Sequence, residues 1–479
     1  MTLPTAGDHG GVEGRAPAGL FGGIFDRGGA DTSDRAWLQA MLDTEAALAR
    51  AAEKAGLAPA GSGGAVTAAA RADRFDIDEL GRLAAGAGNP VPALVRALTQ
   101  AVPEAAREAV HCGATSQDII DTAAMLLSRR ALGEILADLA AAADSAARLA
   151  GRHRQTVMIG RTLLQQAVPV TFGLVAAGWL DGLADAAAWL RRVREERLAV
   201  QFGGAAGTLA ALGSDGPRLA AALAAELGLP EPPLPWHTSR LRIVELASAL
   251  AAAGAALGKI ARDVTLLAQS EVAEVTEAAP GGSSAMPHKR NPVASVALLG
   301  CARQLPELLA TLVASAEQEH QRAAGAWHAE WQPLTALLRL TGSAASWGAE
   351  LLAGLRVDAA RMRANLDAAG GLPMAERLAA LLAPALGRLA AHDLVAQASA
   401  RAVAEGTALA AALGGMLEDA RRGAPGASGA RAALAGAAER LAEAGIGPGE
   451  LALALDPAGY LGASEAFIDS ALARHGYQA

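Results

Sequence analysis

Apolar residues recur at three- and four-residue spacing over several long stretches of the chain. Between positions 116 and 153, Leu127, Leu132, Ile135 and Leu139 follow this spacing, which predicts one long helix with a buried face. The same pattern predicts long helices at about 34–56, 166–200, 238–277, 293–318 and 329–355, and shorter helices between 366 and 479. Because strands and helices do not alternate, a doubly wound sheet or a barrel is disfavoured. The chain is predicted to be all-α, with a central bundle of five long helices.

The amino-acid composition supports the all-α prediction and reduces the number of function classes to consider. Of the 479 residues, 52% are hydrophobic but only 3% are aromatic, and the abundant alanine and leucine are strong helix formers. The net charge is −8 with no basic block, so a nucleic-acid partner is not expected. Cys112 and Cys301 are too few and too far apart for a disulfide framework or a zinc site. Helices this long need partner surfaces, which predicts an oligomer.

The N-terminal residues and the most apolar segment of the sequence bear on where in the cell the protein is found. The first residues lack a charged segment followed by an apolar one, so no secretory signal is predicted. The most apolar window, 167–180, is too short to span a bilayer. We therefore expect a soluble cytoplasmic protein without a membrane partner.

A helix start at HCGATSQD, residues 111–118, is the first candidate for chemistry. Thr115 and Asp118 fit a T-x-x-D capping box. The free backbone N–H groups of such a start attract carboxylates, and the hydroxyls of Thr115 and Ser116 would add donors. Simple capping is the alternative interpretation.

Two further polar segments stand beside apolar helices. In GRTLLQQAVP, residues 160–169, Arg161 and Gln165 serve either a polar substrate or contacts between helices. In GGSSAMPHKRNP, residues 281–292, glycines permit close backbone approach, Lys289 can neutralise a carboxylate, and a serine can act as nucleophile or base. A plain surface loop is the alternative. No metal or cofactor motif is present, so none is predicted.

These three segments resemble conserved regions of one enzyme family. GSSAMPHKRNP is similar to the signature loop of the fumarase/aspartase superfamily, and GATSQD and GRTLLQQAVPVTFG resemble its two other site segments in the expected order. Other stretches resemble the cycloisomerase branch of that superfamily, among them GNPVPALV, QFGGAAGTLAALG, LPWHTSR and RAAGAWHAEW.

The resemblance implies a particular subunit and assembly. It implies three helical domains, at 1–112, 113–365 and 366–479, of which the second carries the long bundle and the signature loop. It also implies a homotetramer built around a core of long helices, with each active site shared between subunits.

The same resemblance assigns roles to individual residues. Ser284 and His111 are implied to be catalytic, Ser284 as the acid/base on a mobile loop and His111 as an active-site histidine. The residues implied to bind a small polycarboxylate substrate are Asn89, Thr115, Ser116, Arg161, Gln165, Arg240, Ser283, Lys289, Asn291 and Arg322.

Three positions depart from the common pattern of the superfamily. Leu163 stands where many members have a proton-transferring histidine, which favours the cycloisomerase branch. Leu241 replaces an acidic residue and puts the local ion pairing of Arg240 in question, whereas Cys112 replaces a larger residue and suggests only a packing role.

The resemblance implies cycloisomerisation of 3-carboxy-cis,cis-muconate to a carboxymuconolactone, by addition of a substrate carboxylate to the conjugated alkene. One alternative is β-elimination of fumarate from a succinate with a good leaving group, such as nitrosuccinate. Another is a structural protein without activity, but the intact serine loop and Lys289 argue against it.

Overall fold

Helices make up most of the chain, and the strands among the described residues form two short antiparallel pairs. The computed structural model describes residues 19–282, 285–422 and 430–476. The predicted all-α class is confirmed. The chain divides into two compact units: within the described residues, unit 1 comprises 19–142, 182–262 and 293–353, and unit 2 comprises the remainder.

Unit 1 contains the N-terminal helices and most of the long ones. They are α1 (Gly22–Phe25), α2 (Asp34–Lys54), α3 (Ser62–Ala69), α4 (Ile77–Ala87), α5 (Val91–Ala101), α6 (Ser116–Arg152), α7 (Phe172–Glu196), α8 (Gly216–Leu227), α9 (Leu241–Leu267), α10 (Val293–Ala302), α11 (Leu305–Ala314) and α12 (Ala326–Ala353). The division between the units falls within α6, α7 and α9. The buried faces are rich in alanine and leucine, as on α6, where Leu127, Leu132, Ile135 and Leu139 are all buried.

Unit 2 combines two small strand pairs with a group of shorter helices. The strands are β1 (Val157–Thr162), β2 (Gln165–Thr171), β3 (Val275–Thr276) and β4 (Arg356–Val357), and the helices are α13 (Ala359–Ala368), α14 (Ala375–Leu386), α15 (Arg388–Glu405), α16 (Leu409–Arg421), α17 (Ala430–Glu443), α18 (Pro448–Ala454) and α19 (Ser464–His475). A core centred on Leu378, Leu382, Leu394 and Leu413 holds α14, α15 and α16 together.

A β-hairpin replaces the start of the second predicted long helix. β1 pairs with β2, and Leu163 and Leu164 form the two-residue turn between them. The helix predicted from 166 begins only at Phe172, so that prediction was wrong for its first six residues. The physical reason is that valines at alternate positions favour a strand, and Pro169 cannot donate a helical hydrogen bond.

Two other predicted helices are shorter or broken. α9 ends at Leu267 rather than near 277, and the chain then turns into strand β3. The helix predicted at 293–318 is divided into α10 and α11, and Pro306 lies in the first turn of α11. Proline is accepted there because a first-turn N–H has no partner within the helix. Helices α2, α6 and α12 agree with the prediction within a few residues.

The segment FGGIF, residues 21–25, docks on unit 1. The carbonyl of Ile24 accepts a hydrogen bond of 3.1 Å from the indole N–H of Trp347 on α12. The Phe25 ring lies 3.5 Å from the point that a Cβ at Gly300 of α10 would occupy. Packing of this short segment therefore anchors the start of the described chain.

Among the described residues, two apolar stretches are long enough to cross a membrane by length and composition alone. The apolar 18-residue window is 50% buried within the protein in Leu241–Leu267 and 28% buried in Val293–Ala314. Core helices of globular proteins also meet this test.

Candidate active site

The start of α6 places Thr115 and Ser116 where the sequence predicted an anion site. The Asp118 carboxylate accepts the backbone N–H of Thr115 at 3.0 Å, which is one half of the predicted capping box. Both hydroxyl residues are half-buried. The first-turn N–H groups and the positive end of the helix dipole favour a carboxylate at this position.

Asp118 is more than a helix cap. Its carboxylate also accepts the backbone N–H groups of Gly203 and Gly204, at 3.0 and 2.9 Å, and contacts His237 Nε2 at 2.7 Å. Asp118 and His237 are both buried. One carboxylate thus fixes the glycine-rich loop after α7 against the start of α6.

His111 is held by a buried carboxylate that the sequence analysis did not single out. Glu45 on α2 accepts the backbone N–H of His111 at 2.9 Å and contacts its Nδ1 at 2.7 Å. Burial disfavours the charged ring, but the hydrogen bond to Glu45 and the charges of Glu45 and Asp118 outweigh it, so the pKa of His111 is raised.

Arg240 is enclosed by two carboxylates. Its Nη1 and Nη2 contact Asp121 at 2.7 and 2.9 Å, and its Nε and Nη2 contact Glu330 at 3.0 and 2.5 Å. Burial opposes the charge, but both partners outweigh it, so the pKa of Arg240 is raised. Because each guanidinium nitrogen contacts a carboxylate and the side chain is 1% exposed, Arg240 fits a positioning role better than the substrate contact that the sequence predicted.

The Leu241 departure leaves the pairing of Arg240 intact. Leu241 is 63% exposed at the start of α9, whereas both partners of Arg240 come from elsewhere in unit 1, on α6 and α12. An acidic residue at position 241 is therefore not needed to balance this cation.

Arg322 joins the same polar network at its edge. It donates to the side-chain oxygen of Gln117 at 2.8 Å and to the carbonyl of Ala205 at 2.8 Å. The amide of Gln117 in turn donates to the carbonyl of His237 at 2.8 Å. The network ties half-buried Arg322 to the first turn of α6, close in structure to Thr115 and Ser116.

Asn89 lies in a loop that is anchored separately. Its side-chain oxygen accepts the N–H of Val91, the first residue of α5, at 3.1 Å. His328 Nε2 lies 3.0 Å from the carbonyl of neighbouring Gly88, and the His328 ring packs against Trp327 and Trp331. Asn89 thus has a structural role of its own, and substrate contact remains a prediction.

In unit 2, the hairpin carries Arg161 and Gln165. Arg161 forms a bidentate pair with buried Glu274, at 2.9 and 2.8 Å, and Asn365 donates to the same carboxylate at 2.9 Å. Gln165 is exposed and pairs with Thr162 across the turn. Glu274 therefore fixes Arg161, while Gln165 stays accessible in the isolated unit.

The signature loop is closed at its base. The backbones of Gly281 and Asn291 exchange two hydrogen bonds, at 2.9 and 2.8 Å. Lys289 is exposed on the loop. The predicted base Ser284 and its neighbour Ser283 lie outside the described residues, so their roles remain predictions.

A cavity of about 740 Å³ in unit 1 is lined by none of the predicted site residues. Its walls include Trp37 and Met41 of α2, Leu94 of α5, and Trp331 and Arg339 of α12. The volume of a cavity alone therefore does not identify the candidate active site of this protein.

Sequence reasoning missed Glu45, Asp121, Gln117, Glu330 and Glu274. All five are buried polar side chains at less than 5% exposure. For the four residues on helices, the only signal in the sequence was a charged or amide residue on an otherwise apolar helix face, which also occurs at solvent-facing positions. Glu274 lies in the loop between α9 and β3, where there is no such pattern. Their partners are distant in sequence, so only the fold reveals them.

Comparison with known proteins identifies the family. The lyase family model matches residues 22–306, which is more than half of the chain. The chain belongs to this lyase family, in the fumarase/aspartase superfamily, and is an enzyme of the kind that the signature loop indicated.

Individual relatives narrow the resemblance further. The chain is 48% identical to 3-carboxy-cis,cis-muconate cycloisomerase of Bradyrhizobium diazoefficiens, over 92% of this chain and 94% of the relative. It is 45% identical to nitrosuccinate lyase of Streptomyces davaonensis, over 92% and 91%. The solved structure of a 3-carboxy-cis,cis-muconate lactonizing enzyme from Pseudomonas putida superposes with a TM-score of 0.84 at 43% identity, over 95% of this chain and 99% of that one.

Proposed function

We propose that this protein converts 3-carboxy-cis,cis-muconate to a carboxymuconolactone. The observation that carries the proposal is the similarity to cycloisomerases over nearly the whole chain, in sequence and in structure. The cluster of donors around α6, formed by Thr115, Ser116, His111 and Arg322, supports it because a tricarboxylate substrate needs several anion-binding groups.

The proposed reaction needs one new C–O bond and one proton transfer. A substrate carboxylate oxygen attacks the conjugated alkene, and the electron pair moves to the carbon beside another carboxylate. Ser284 Oγ–H then protonates that carbon, and its alkoxide regains a proton from water. Each well-placed donor to the developing charge contributes roughly 3–4 kcal/mol, and tethering attacker and alkene in one molecule lowers the entropic barrier.

We assign the remaining substrate contacts by the same resemblance. Lys289 and Asn291 position substrate carboxylates from the signature loop, with Ser283 beside the proposed base. Gln165 and Asn89 are further contacts. Arg161 contributes charge from a position that its bidentate pair with Glu274 fixes.

Leu163 is compatible with this reaction. Its side chain is 97% exposed at the hairpin tip and cannot transfer a proton. Cycloisomerisation releases no leaving group, so no acid is required at this position.

We infer that the protein acts in the cytoplasm as a homotetramer with active sites shared between subunits. The apolar 18-residue window of Val293–Ala314 is only 28% buried within one chain, which supports burial against other copies. The division into three domains, at 1–112, 113–365 and 366–479, belongs to the same proposal. Light scattering coupled to gel filtration tests the assembly, and a monomer at micromolar concentration contradicts it.

Elimination of nitrite from nitrosuccinate is the second candidate. The relative with that name is 45% identical over 92% of this chain, close to the identity of the cycloisomerases. Nitrite leaves without protonation, so Leu163 is compatible with this reaction as well.

One pair of assays decides between the candidates. Purified protein is given the triacid, with loss of the diene absorbance followed and the lactone identified by NMR, and then nitrosuccinate, with nitrite and fumarate measured. We expect lactone formation that Ser284→Ala abolishes and the matched control Ser283→Ala reduces less. Binding of the triacid without loss of absorbance would overturn the proposal, and fumarate with nitrite would establish the alternative.

A further inference from the structure

The buried carboxylate of Glu45 contacts both the backbone and the ring of His111. Glu45 lies on α2 with 0% of its side chain exposed, whereas the His111 side chain is 21% exposed. Glu45 Oε2 accepts the backbone N–H at 2.9 Å, and Oε1 contacts ring Nδ1 at 2.7 Å. Two contacts to one residue fix the position of the backbone and the rotation of the ring together.

The backbone around His111 is also constrained. Its φ is +59°, in the left-handed region that non-glycine residues avoid. Gly113 has a φ of +68°, and a Cβ there would lie 2.5 Å from Leu212. A strained residue in a tightly packed turn persists only when its surroundings hold it, and Glu45 provides that hold.

The contact decides which ring nitrogen is available. A carboxylate only accepts hydrogen bonds, so Nδ1 carries a hydrogen and donates it to Glu45. Within the part of the chain that the structure describes, Glu45 is the only hydrogen-bond partner of this ring. Nε2 is therefore the nitrogen that remains for a ligand.

The charged groups that act on the ring favour a cation. They are Glu45 from α2 and Asp118 from α6, and together they raise the pKa of His111 despite its burial. A protonated imidazole carries a hydrogen on Nε2 as well, and a charged donor to a carboxylate is stronger than a neutral one.

We propose that Glu45 is a positioning residue that holds the His111 ring with its Nε2–H presented to a substrate carboxylate. His111 then anchors the substrate and does not take up the reacting proton. The proposal rests on the proposed function for the identity of the substrate, but the contact between Glu45 and His111 is independent of it.

The kinetic test uses Glu45→Gln, which keeps the size of the side chain and removes its charge. We expect KM for the triacid to rise by about 10- to 100-fold at pH 8, as for loss of a charged hydrogen bond, with kcat changed by less than about threefold. The alkaline limb of kcat/KM should move to lower pH, because the ring loses its proton more easily. Glu53→Gln is the matched control: Glu53 also lies on α2 and its carboxylate accepts the backbone N–H groups of Gly61 and Gly63, but it does not contact His111.

His111→Gln separates the two roles of the histidine without altering Glu45. Glutamine can donate a hydrogen bond to a carboxylate but cannot shuttle a proton at neutral pH. We expect a raised KM with most of kcat retained. A loss of kcat by about 100-fold or more would assign proton transfer to His111 and overturn the anchoring role.

A chemical measurement tests the contact without any turnover. Diethyl pyrocarbonate acylates neutral imidazole, and the difference between wild type and His111→Gln reports the reaction of His111 alone. In Glu45→Gln the midpoint of this reaction should fall by about one pH unit or more. An unchanged midpoint overturns the proposal even if the protein proves to act on nitrosuccinate, whereas a shifted midpoint without lactone formation refutes only the proposed function.

Discussion

Replacing Arg240 by methionine should destabilise the protein through the charges that it leaves behind. Methionine fills most of the space of the arginine stem, so lost packing is a minor effect. Asp121 and Glu330, each with a side chain 3% exposed, would both lose their ion pair with Arg240. Removing one partner of a buried ion pair typically costs about 3–5 kcal/mol.

The structure places the expected cost near the lower end of this range. Asp121 keeps hydrogen bonds from Trp327 at 3.0 Å and from Gln117 at 3.1 Å, and Glu330 keeps one from Gln318 at 2.9 Å. These neutral donors, each worth about 1 kcal/mol, are present in wild type and remain in the variant, so neither carboxylate is left without a partner and the lower end of the range applies. We therefore expect Arg240→Met to lower the free energy of unfolding by about 3 kcal/mol at pH 8.

The stability that Arg240→Met loses should become smaller as pH falls. Burial raises the pKa of Glu330 even with Arg240 present, and removal of the cation raises that pKa further. A carboxyl whose pKa is higher in the folded state binds its proton more tightly there, so the folded variant regains stability as pH falls. Urea denaturation followed by circular dichroism at pH 8 and pH 5.5, at one protein concentration, measures both values.

Two matched variants make the reasoning refutable. Arg240→Lys keeps the charge and should lose less stability, because only the bidentate geometry is removed. Arg240→Met combined with Asp121→Asn and Glu330→Gln should recover much of the loss, since no unpaired charge remains. If Arg240→Met instead raises KM while leaving the denaturation midpoint unchanged, Arg240 is a substrate contact and the positioning role is refuted.

Three further changes test other features of the fold. Burial and a neighbouring carboxylate raise the pKa of Asp138 to about 6, so wild type loses stability as pH rises through that value. Asp138→Asn should therefore stabilise the protein by about 1 kcal/mol at pH 8, after discounting for solvent. Thermal melts near pH 4 should show no difference between the variant and wild type. The pair Leu163→Asn and Leu164→Gly suits the positive φ angles of 51° and 62° at the hairpin turn, and should stabilise by about 1–2 kcal/mol; a lower melting temperature would contradict this. A Cβ at Gly160 would lie 2.6 Å from the carbonyl of Val168, so Gly160→Val should destabilise by about 1–3 kcal/mol, and an unchanged denaturation midpoint would argue against that close approach.

The hairpin shows where sequence patterns fail. Residues 166–171 contain apolar positions that fit a helix as well as a strand, and the short apolar run does not distinguish them. Residues 166–171 form a strand because they pair with residues 157–162. The turn between the strands consists of two leucines at positive φ, which leucine disfavours. Such a turn is stable only because the paired strands fix it.

The candidate site also shows what sequence patterns cannot predict, which is the set of partners around a charged side chain. The motifs identified the start of α6 and the signature loop, because a capping box and a glycine–serine–lysine loop are local in sequence. The family resemblance assigns Arg240 to substrate, and a sequence motif does not record the neighbours of a residue in space. Its two carboxylates lie 119 and 90 positions away in the chain, and only folding brings them to it.

The sequence by itself determined the helical class, the long helices α2, α6 and α12, and the family. Helical periodicity and capping are local, and the family motifs are contiguous, so each can be read from a short window. The tertiary structure decided which polar residues are buried, which arginine is paired with two carboxylates, and which nitrogen of His111 contacts Glu45. Those properties depend on burial and on partners remote in sequence, because the charge and hydrogen-bonding state of a side chain is set by its surroundings in space.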